Sequence, residues 1–254
     1  MTDFLPTLAA ADLGPALLIA LVAGLVQGLV RFAMPLVLLS GRTLFLPPEL
    51  ALAGLILPTL VSNAMQSLRQ GRQAAAQSIR QFRVFLIAGA VTLFISAQFV
   101  RVIPETVFLL IVGVPVVVFS VVQLLGLKMQ LARRSAPVEA AVGGFAGAIG
   151  GLSGIWGPHT VMYLTALDTP KADQMRIQGV IYGLGSAALL GAHVTSGVLR
   201  GETWPFSALL VPPAVLGMWL GGRISDRIDQ RTFRRATLVV LTLAGANLVR
   251  RALL

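Results

Sequence analysis

Long apolar runs alternate with short, Arg-rich connections along the whole chain. Eight runs with few or no charges lie near residues 13–41, 50–68, 84–100, 106–127, 140–167, 177–199, 203–222 and 236–249. About 20 apolar residues cross the hydrocarbon core as a helix. None of the runs shows the two-residue alternation of a lipid-facing barrel strand. The pattern therefore predicts an all-α integral membrane protein with no room for a soluble domain. The eighth run is short, and Arg234, Arg235, Arg250 and Arg251 flank it so that their stems can reach both interfaces.

Two runs are interrupted. Residues 24–39 read GLVQGLVRFAMPLVLL and residues 150–165 read GGLSGIWGPHTVMYLT. In lipid, a broken backbone is tolerated only where protein or a water-filled cavity surrounds it. The distribution of basic residues gives these breaks a meaning. If all eight runs cross, Arg69, Arg72, Arg80, Arg83, Lys128, Arg133, Arg134, Arg200, Arg250 and Arg251 share one side. The other side then holds Arg42, Arg101, Lys171, Arg223, Arg227, Arg231, Arg234 and Arg235. That near-even split violates the cytoplasmic bias of Lys and Arg. If the first and fifth runs dip in and return, only Arg42, Arg101, Arg200, Arg250 and Arg251 lie outside, and the bias is restored.

This second arrangement predicts two inverted repeats, residues 1–135 and 136–254. Each is a broken, re-entrant helical hairpin followed by three transmembrane helices, with both termini outside the cytoplasm. Broken helices of inverted repeats that meet near the midplane are a transporter design. Side by side, Gln27-Gly28 falls opposite Ser153-Gly154 and Arg31 opposite Gly157.

Composition narrows the function. The chain is 56% hydrophobic and 12% charged, half the charged share of about 25% in globular domains, and its mean hydropathy is +0.84. The net charge of +10 sits between apolar runs rather than on one soluble face. It points to topology signals and anionic membrane lipids, not to nucleic acid. RQGRQAAAQSIRQFR and GGRISDRIDQRTFRR read as cytoplasmic linkers of this kind. Without cysteine there is no disulfide, and two His with few carboxylates offer no metal site or cofactor. The first fifteen residues carry no Lys or Arg, unlike a cleaved signal peptide.

Among the polar positions, Arg31 is the leading site candidate. It lies eighteen residues into its run, with no acid between Asp12 and Glu49. A charge at that depth costs several kcal/mol, about 2.5–3.5 on insertion scales. A guanidinium also matches an oxyanion bidentately. His159 is a second candidate, as anion contact or buried structural group. Gln27 and Ser153 can donate to substrate oxygens. Gly154 and Gly157 free the backbone. Trp156 walls a pocket or anchors at the interface. Arg176 and Gln178 open the sixth run, where Asp173 offers Arg176 a simpler partner. Asn63 and Gln66 suit interhelical hydrogen bonds, and His193 suits packing.

The glycine-rich stretches, above all Gly150-Gly151-Leu152-Ser153-Gly154-Ile155-Trp156-Gly157, resemble the TauE/SafE family of sulfite and organosulfonate exporters. Members of that family carry such a motif early in each of two halves. The resemblance covers essentially the whole chain. It departs at Pro158-His159-Thr160 and at Phe32-Ala33-Met34, where glycines trail in the family, and Arg31 replaces a glycine. It implies a multi-pass protein of the bacterial cytoplasmic membrane that exports a small anion, sulfite or a C2 organosulfonate, and it leaves a homodimer open. Moving one negative charge outward gains about 2.3 kcal/mol per 100 mV, so export needs no ATP. The rival reading is a rhomboid-like intramembrane protease, with Ser153 of GLSG activated by His193 of GAHVTSG. The missing upstream His and the matching break in the first half speak against it.

Overall fold

The computed structural model describes residues 10–30, 32–42, 44–68, 71–127, 131, 134–167, 169, 171–225, 227 and 229–254. The regular structure among these residues is helical, and none is in a strand. In chain order the helices are α1 (Ala10–Val30), α2 (Met34–Arg42), α3 (Pro48–Leu68), α4 (Arg72–Gln81), α5 (Arg83–Ala97) and α6 (Glu105–Leu124). Then follow α7 (Ala136–Ser153), α8 (Gly157–Ala166), α9 (Lys171–Thr195), α10 (Trp204–Leu209), α11 (Val211–Ser225) and α12 (Gln230–Leu253). Asp12–Leu29, Pro48–Leu68, Glu105–Leu124, Arg176–Thr195 and Trp204–Ser225 are long and apolar enough to cross a membrane, and α4 with α5 forms a sixth candidate. Their outer faces carry exposed apolar side chains such as Ile87, Val118, Leu184 and Leu216, as a lipid-facing surface requires.

Both interrupted runs are broken as the glycine and proline positions indicate. The first divides into α1 and α2 and the fifth into α7 and α8. The helix boundaries share a spacing: Val30 and Ser153, Met34 and Gly157, and Pro48 and Lys171 stand 123 residues apart, as do Asn63 and Ser186.

The Arg-rich connection after α3 is a second departure. It forms α4, which meets α5 at a bend of 80° and packs on α9. Ser78 and Phe82 are buried on one side while Arg72 and Arg80 stay exposed. That amphipathicity suits a helix lying along the interface rather than a free linker. Arg134 fixes the corner: it donates to the Gln81 carbonyl and to Glu139, 2.8 Å away, and covers the Phe82 ring at 4.2 Å. Glu139 in turn accepts from the Phe85 amide at the start of α5.

The most extensive packing joins α1 to α11, α5 to α7, α6 to α12 and α3 to α9. Glycine makes the first two possible. A β-carbon on Gly217 or Gly221 of α11 would overlap the Leu21 or Leu25 carbonyl of α1, and one on Gly24 the Ala214 carbonyl. Along α7, Gly143, Gly147 and Gly151 lie against the carbonyls of Phe85, Gly89 and Leu93. Thr92 donates across the same seam to the Gly144 carbonyl at 2.7 Å. Lipid tails are as apolar as leucine, so helices in a bilayer associate through such close van der Waals contact.

At one end of the bundle, Glu49 binds both Arg101 and Arg200, at 3.4 and 2.9 Å, and Arg251 binds Glu105 at 3.0 Å. Hydrogen bonds to Glu202 and then Glu49 raise the Arg200 pKa above the ordinary arginine value. α3 runs about 30 Å from that end at 1.5 Å per residue, and α4 leads from its far end to the Arg134 corner.

Gly217→Ala and Gly147→Ala should each destabilise the purified protein by about 1–3 kcal/mol through backbone overpacking. Gly222→Ala, with open space at its β-carbon, should leave the melting temperature in detergent nearly unchanged. Equal melting temperatures for all three would show that the glycine seams do not hold the helices.

Candidate functional site

The two breaks touch. A β-carbon on Gly157, at the start of α8, would sit 3.0 Å from the Phe32 ring and 3.1 Å from its carbonyl oxygen, between α1 and α2. Gly154 closes α7 in the left-handed conformation, φ +71°, with its amide on the Gly150 carbonyl. An L side chain there would be strained and would press on Leu55.

A polar seam between α3 and α9 lies with these breaks. Thr59, Ser62, Asn63 and Gln66 occupy positions i, i+3, i+4 and i+7, so they form a stripe on one face of α3. Gln178, Tyr182 and Ser186 do the same on α9 at four-residue steps. Gln27, near the end of α1, donates to Asn63 Oδ1 at 3.2 Å and to Gln66 Oε1 at 3.3 Å. Its own oxygen accepts from the Met34 amide at 3.0 Å, tying the end of α1 to the start of α2. Asn63 reaches across to the Tyr182 carbonyl at 3.4 Å and to Ser186 at 3.5 Å. The Tyr182 hydroxyl donates to the Gly157 carbonyl at 3.2 Å. One hydrogen-bonded chain thus runs from the first break through both stripes to the second.

Two donors in the seam are buried without a partner: Thr59 Oγ1 and Gln66 Nε2. An unmet buried donor is costly and calls for an acceptor. Among the described residues the one buried carboxylate is Glu139, held by Arg134 at the α5 corner and not in the seam. The seam presents donors to a guest and no negative charge.

The sequence candidates fall into distinct places. Arg31 lies outside the described residues. Gln27, Gly154, Gly157 and Gln178 belong to the breaks and the seam. Trp156 is buried between Gly150 and Gly185, so it is a packing wedge and not an interface anchor. Ser153 donates to the Ile149 carbonyl at 2.7 Å and accepts from the Ile155 amide at 3.1 Å, finishing its own helix. His159 follows Gly157 by two residues, about 200° around α8, and packs edge-on against the Phe145 ring at 5.0 Å. It faces away from the Phe32 contact. Arg176 is paired with Asp173 at 3.0 Å.

A family model described as sulfite exporter TauE/SafE matches residues 16–248. The chain belongs to the TauE/SafE family. It is accordingly a multi-pass membrane protein of a transporter family and not an enzyme. Comparison with curated proteins and with solved structures gives no match.

Within a TauE/SafE framework the protease reading has no support. Ser153 is engaged with its own backbone, and His193 contacts Ser196 at 3.2 Å. Sequence reasoning missed Thr59, Tyr182 and Ser186. The available signal was their helical spacing from Asn63 and Gln178, which places them on the same stripes. Asn63 and Gln66 do make the interhelical bonds expected of them, to α1 and α9.

Tyr182→Phe removes one interhelical bond and should cost about 0.6 kcal/mol, the average for such bonds in a membrane. Asn63→Leu removes three bonds at once, to Gln27, the Tyr182 carbonyl and Ser186, and should cost more, about 1–3 kcal/mol. Thermal unfolding in detergent checks the order; equal effects would mean that the seam is not continuous.

Proposed function

We propose that this chain is a secondary transporter that exports a small sulfur-containing anion, sulfite or a C2 organosulfonate such as sulfoacetate. The anion is held where the two breaks meet, between two inverted halves, residues 1–135 and 136–254, in the bacterial cytoplasmic membrane. The observation that carries this reading is the pair of unpartnered buried donors, Thr59 Oγ1 and Gln66 Nε2, in a carboxylate-free seam joined to both breaks. Membership of the sulfite exporter family supports the sulfur oxyanion. Arg31, next to Phe32 in sequence, supplies the positive charge.

The packing supports the inverted halves. α1 rests on α11 of the other half, and its counterpart α7 rests on α5. Equivalent helices pair with each other, α3 with α9 and α6 with α12. Contacts at those pairs are reciprocal: Asn63 meets Ser186, and β-carbons on Gly113 and Gly245 would lie 3.0 and 3.3 Å from each other's carbonyl oxygens. A two-fold axis requires this self-pairing. The ion pairs support the re-entrant topology, because Arg101 and Arg200 share Glu49 and Arg251 binds Glu105. Eight crossings would put Arg101 and Arg200 on opposite sides of the membrane.

The starts of α2 and α8 add their first-turn amides and positive dipole ends to the junction, as half-helices do at transporter anion sites. Gln27 holds the α2 start in place. Gly154 and Gly157 give the backbone room to turn, with Trp156 and Ser153 setting the angle of the break. Gln178 continues the seam, and Arg176, neutralised by Asp173, stands at its end. With no carboxylate in the seam for proton or sodium coupling, the membrane potential drives an anion outward.

Reconstituted into liposomes under a potassium diffusion potential, the protein should give saturable sulfite flux that grows with the potential. Arg31→Ala should raise the half-saturating concentration at least tenfold or abolish flux while leaving helicity and monodispersity unchanged. Normal flux through Arg31→Ala would overturn the anion site. Compartment-sensitive reporters fused to either terminus should report a non-cytoplasmic location, and a cytoplasmic C-terminus would overturn the inverted topology.

A further inference from the structure

The molecule encloses a cation, Arg42, that the proposed junction does not use. Arg42 is the last residue of α2, its side chain is 0% exposed, and all three guanidinium nitrogens are buried without a hydrogen-bond partner. No carboxylate among the described residues forms an ion pair with it; the nearby acids of that end, Glu49 and Glu105, are taken by Arg101, Arg200 and Arg251. The C-terminal dipole of α2 favours a cation there, but no nitrogen bonds a terminal carbonyl. The Phe206 ring of α10 lies 5.6 Å from Cζ, a contact that attracts the charge without satisfying any N–H.

The surroundings are shaped for the guanidinium. At Gly54 of α3 a β-carbon would lie 2.5 Å from Nη1 and 2.6 Å from the Phe206 ring, so any larger residue would fill the space the charge occupies. A buried charge with five unmet donors is among the most costly groups a fold can hold, and structures keep one where an opposite charge completes it. The planar fork of donors fits two oxygens of one anion.

We infer that Arg42, in the enclosure formed by α2, Gly54 of α3 and Phe206 of α10, binds a small oxyanion at a second site separate from the junction of the breaks. The complete enclosure selects a small solute anion over a lipid phosphate. Resting on the topology proposed above, the site lies toward the non-cytoplasmic end, with Arg200 and Glu49. An exported anion leaving the junction passes there on its way out, and alternating access explains its closure in this state.

The test is calorimetric titration with sulfite of the full-length protein in nanodiscs of zwitterionic lipid. The wild type should bind two equivalents, Arg31→Ala one, Arg42→Met one, and the double variant none. Arg42→Met should also melt no lower than the wild type in the absence of anion, since an unpaired charge is replaced by an apolar chain. If Arg31→Ala binds none, or Arg42→Met keeps both equivalents, the second site is wrong and the junction stands. If Arg42→Met alone removes binding and Arg31→Ala does not, the second site stands and the junction reading falls. Should Arg42→Met fail to fold, Gly54→Val, which crowds the guanidinium, should lose one equivalent; retention of both would overturn the inference. Loss of the Arg42-dependent equivalent on adding anionic lipid would assign the site to a headgroup and overturn it likewise.

Discussion

Direct backbone-to-backbone contact along two glycine seams holds the bundle together, and the placing of the breaks follows from it. In lipid there is no hydrophobic gain from joining apolar helices, so adhesion comes from how closely the backbones approach. Gly24 and Gly28 of α1 against α11, and Gly143, Gly147 and Gly151 of α7 against α5, bring carbonyls within reach of the facing chain. Gly28 and Gly151 each stand two residues before the end of their helix. The seams that fix α1 and α7 therefore also fix where each backbone leaves the helix, and the contact between Phe32 and Gly157 is their joint result.

A helix that breaks inside a membrane exposes amides and carbonyls that lipid cannot satisfy. The polar stripes of α3 and α9 answer that need. The Gln27 oxygen takes the Met34 amide and the Tyr182 hydroxyl serves the Gly157 carbonyl, so part of the seam is structural repair. Thr59 Oγ1 and Gln66 Nε2 are left over from that repair, buried without a partner. Under the proposed function these leftovers serve the anion, since donors without carboxylates, beside two helix N-termini, favour negative charge.

Charge is managed differently at the ends. Glu49, Arg101 and Arg200 pair at partly exposed positions, where water lowers the cost of each ion and the pairing gains little stability. Glu139 and Arg134 are more enclosed and tie the α4–α5 corner to the start of α7, closing one end of the seam between α5 and α7. Arg42 is the exception, since it is enclosed without an acid. The molecule thus separates paired charges that shape the fold from buried donors that have no partner within it.

Much of the architecture was legible along the chain. Lipid imposes a one-dimensional rule, that roughly 20 apolar residues make a span, so the helices, the two broken runs and the TauE/SafE resemblance followed from composition, Gly and Pro positions and local motif alone. Local amphipathicity in RQAAAQSIRQ also held the signal for α4, outweighed by its density of arginine. The tertiary structure decided the rest. Which glycine meets which carbonyl depended on where α1 and α7 lock onto α11 and α5, which repeated glycines in sequence leave ambiguous. Whether a polar residue faces the seam, a neighbour's ring or its own backbone depended on helix rotation, which is fixed only by packing. Tyr182 and Ser186 thereby joined the seam, His159 turned to Phe145, and Ser153 closed its own helix. Arg42, an ordinary flanking charge in sequence, became a buried one because α3 leaves the space of a missing β-carbon at Gly54, and a burial made by three helices is written in no single stretch of chain.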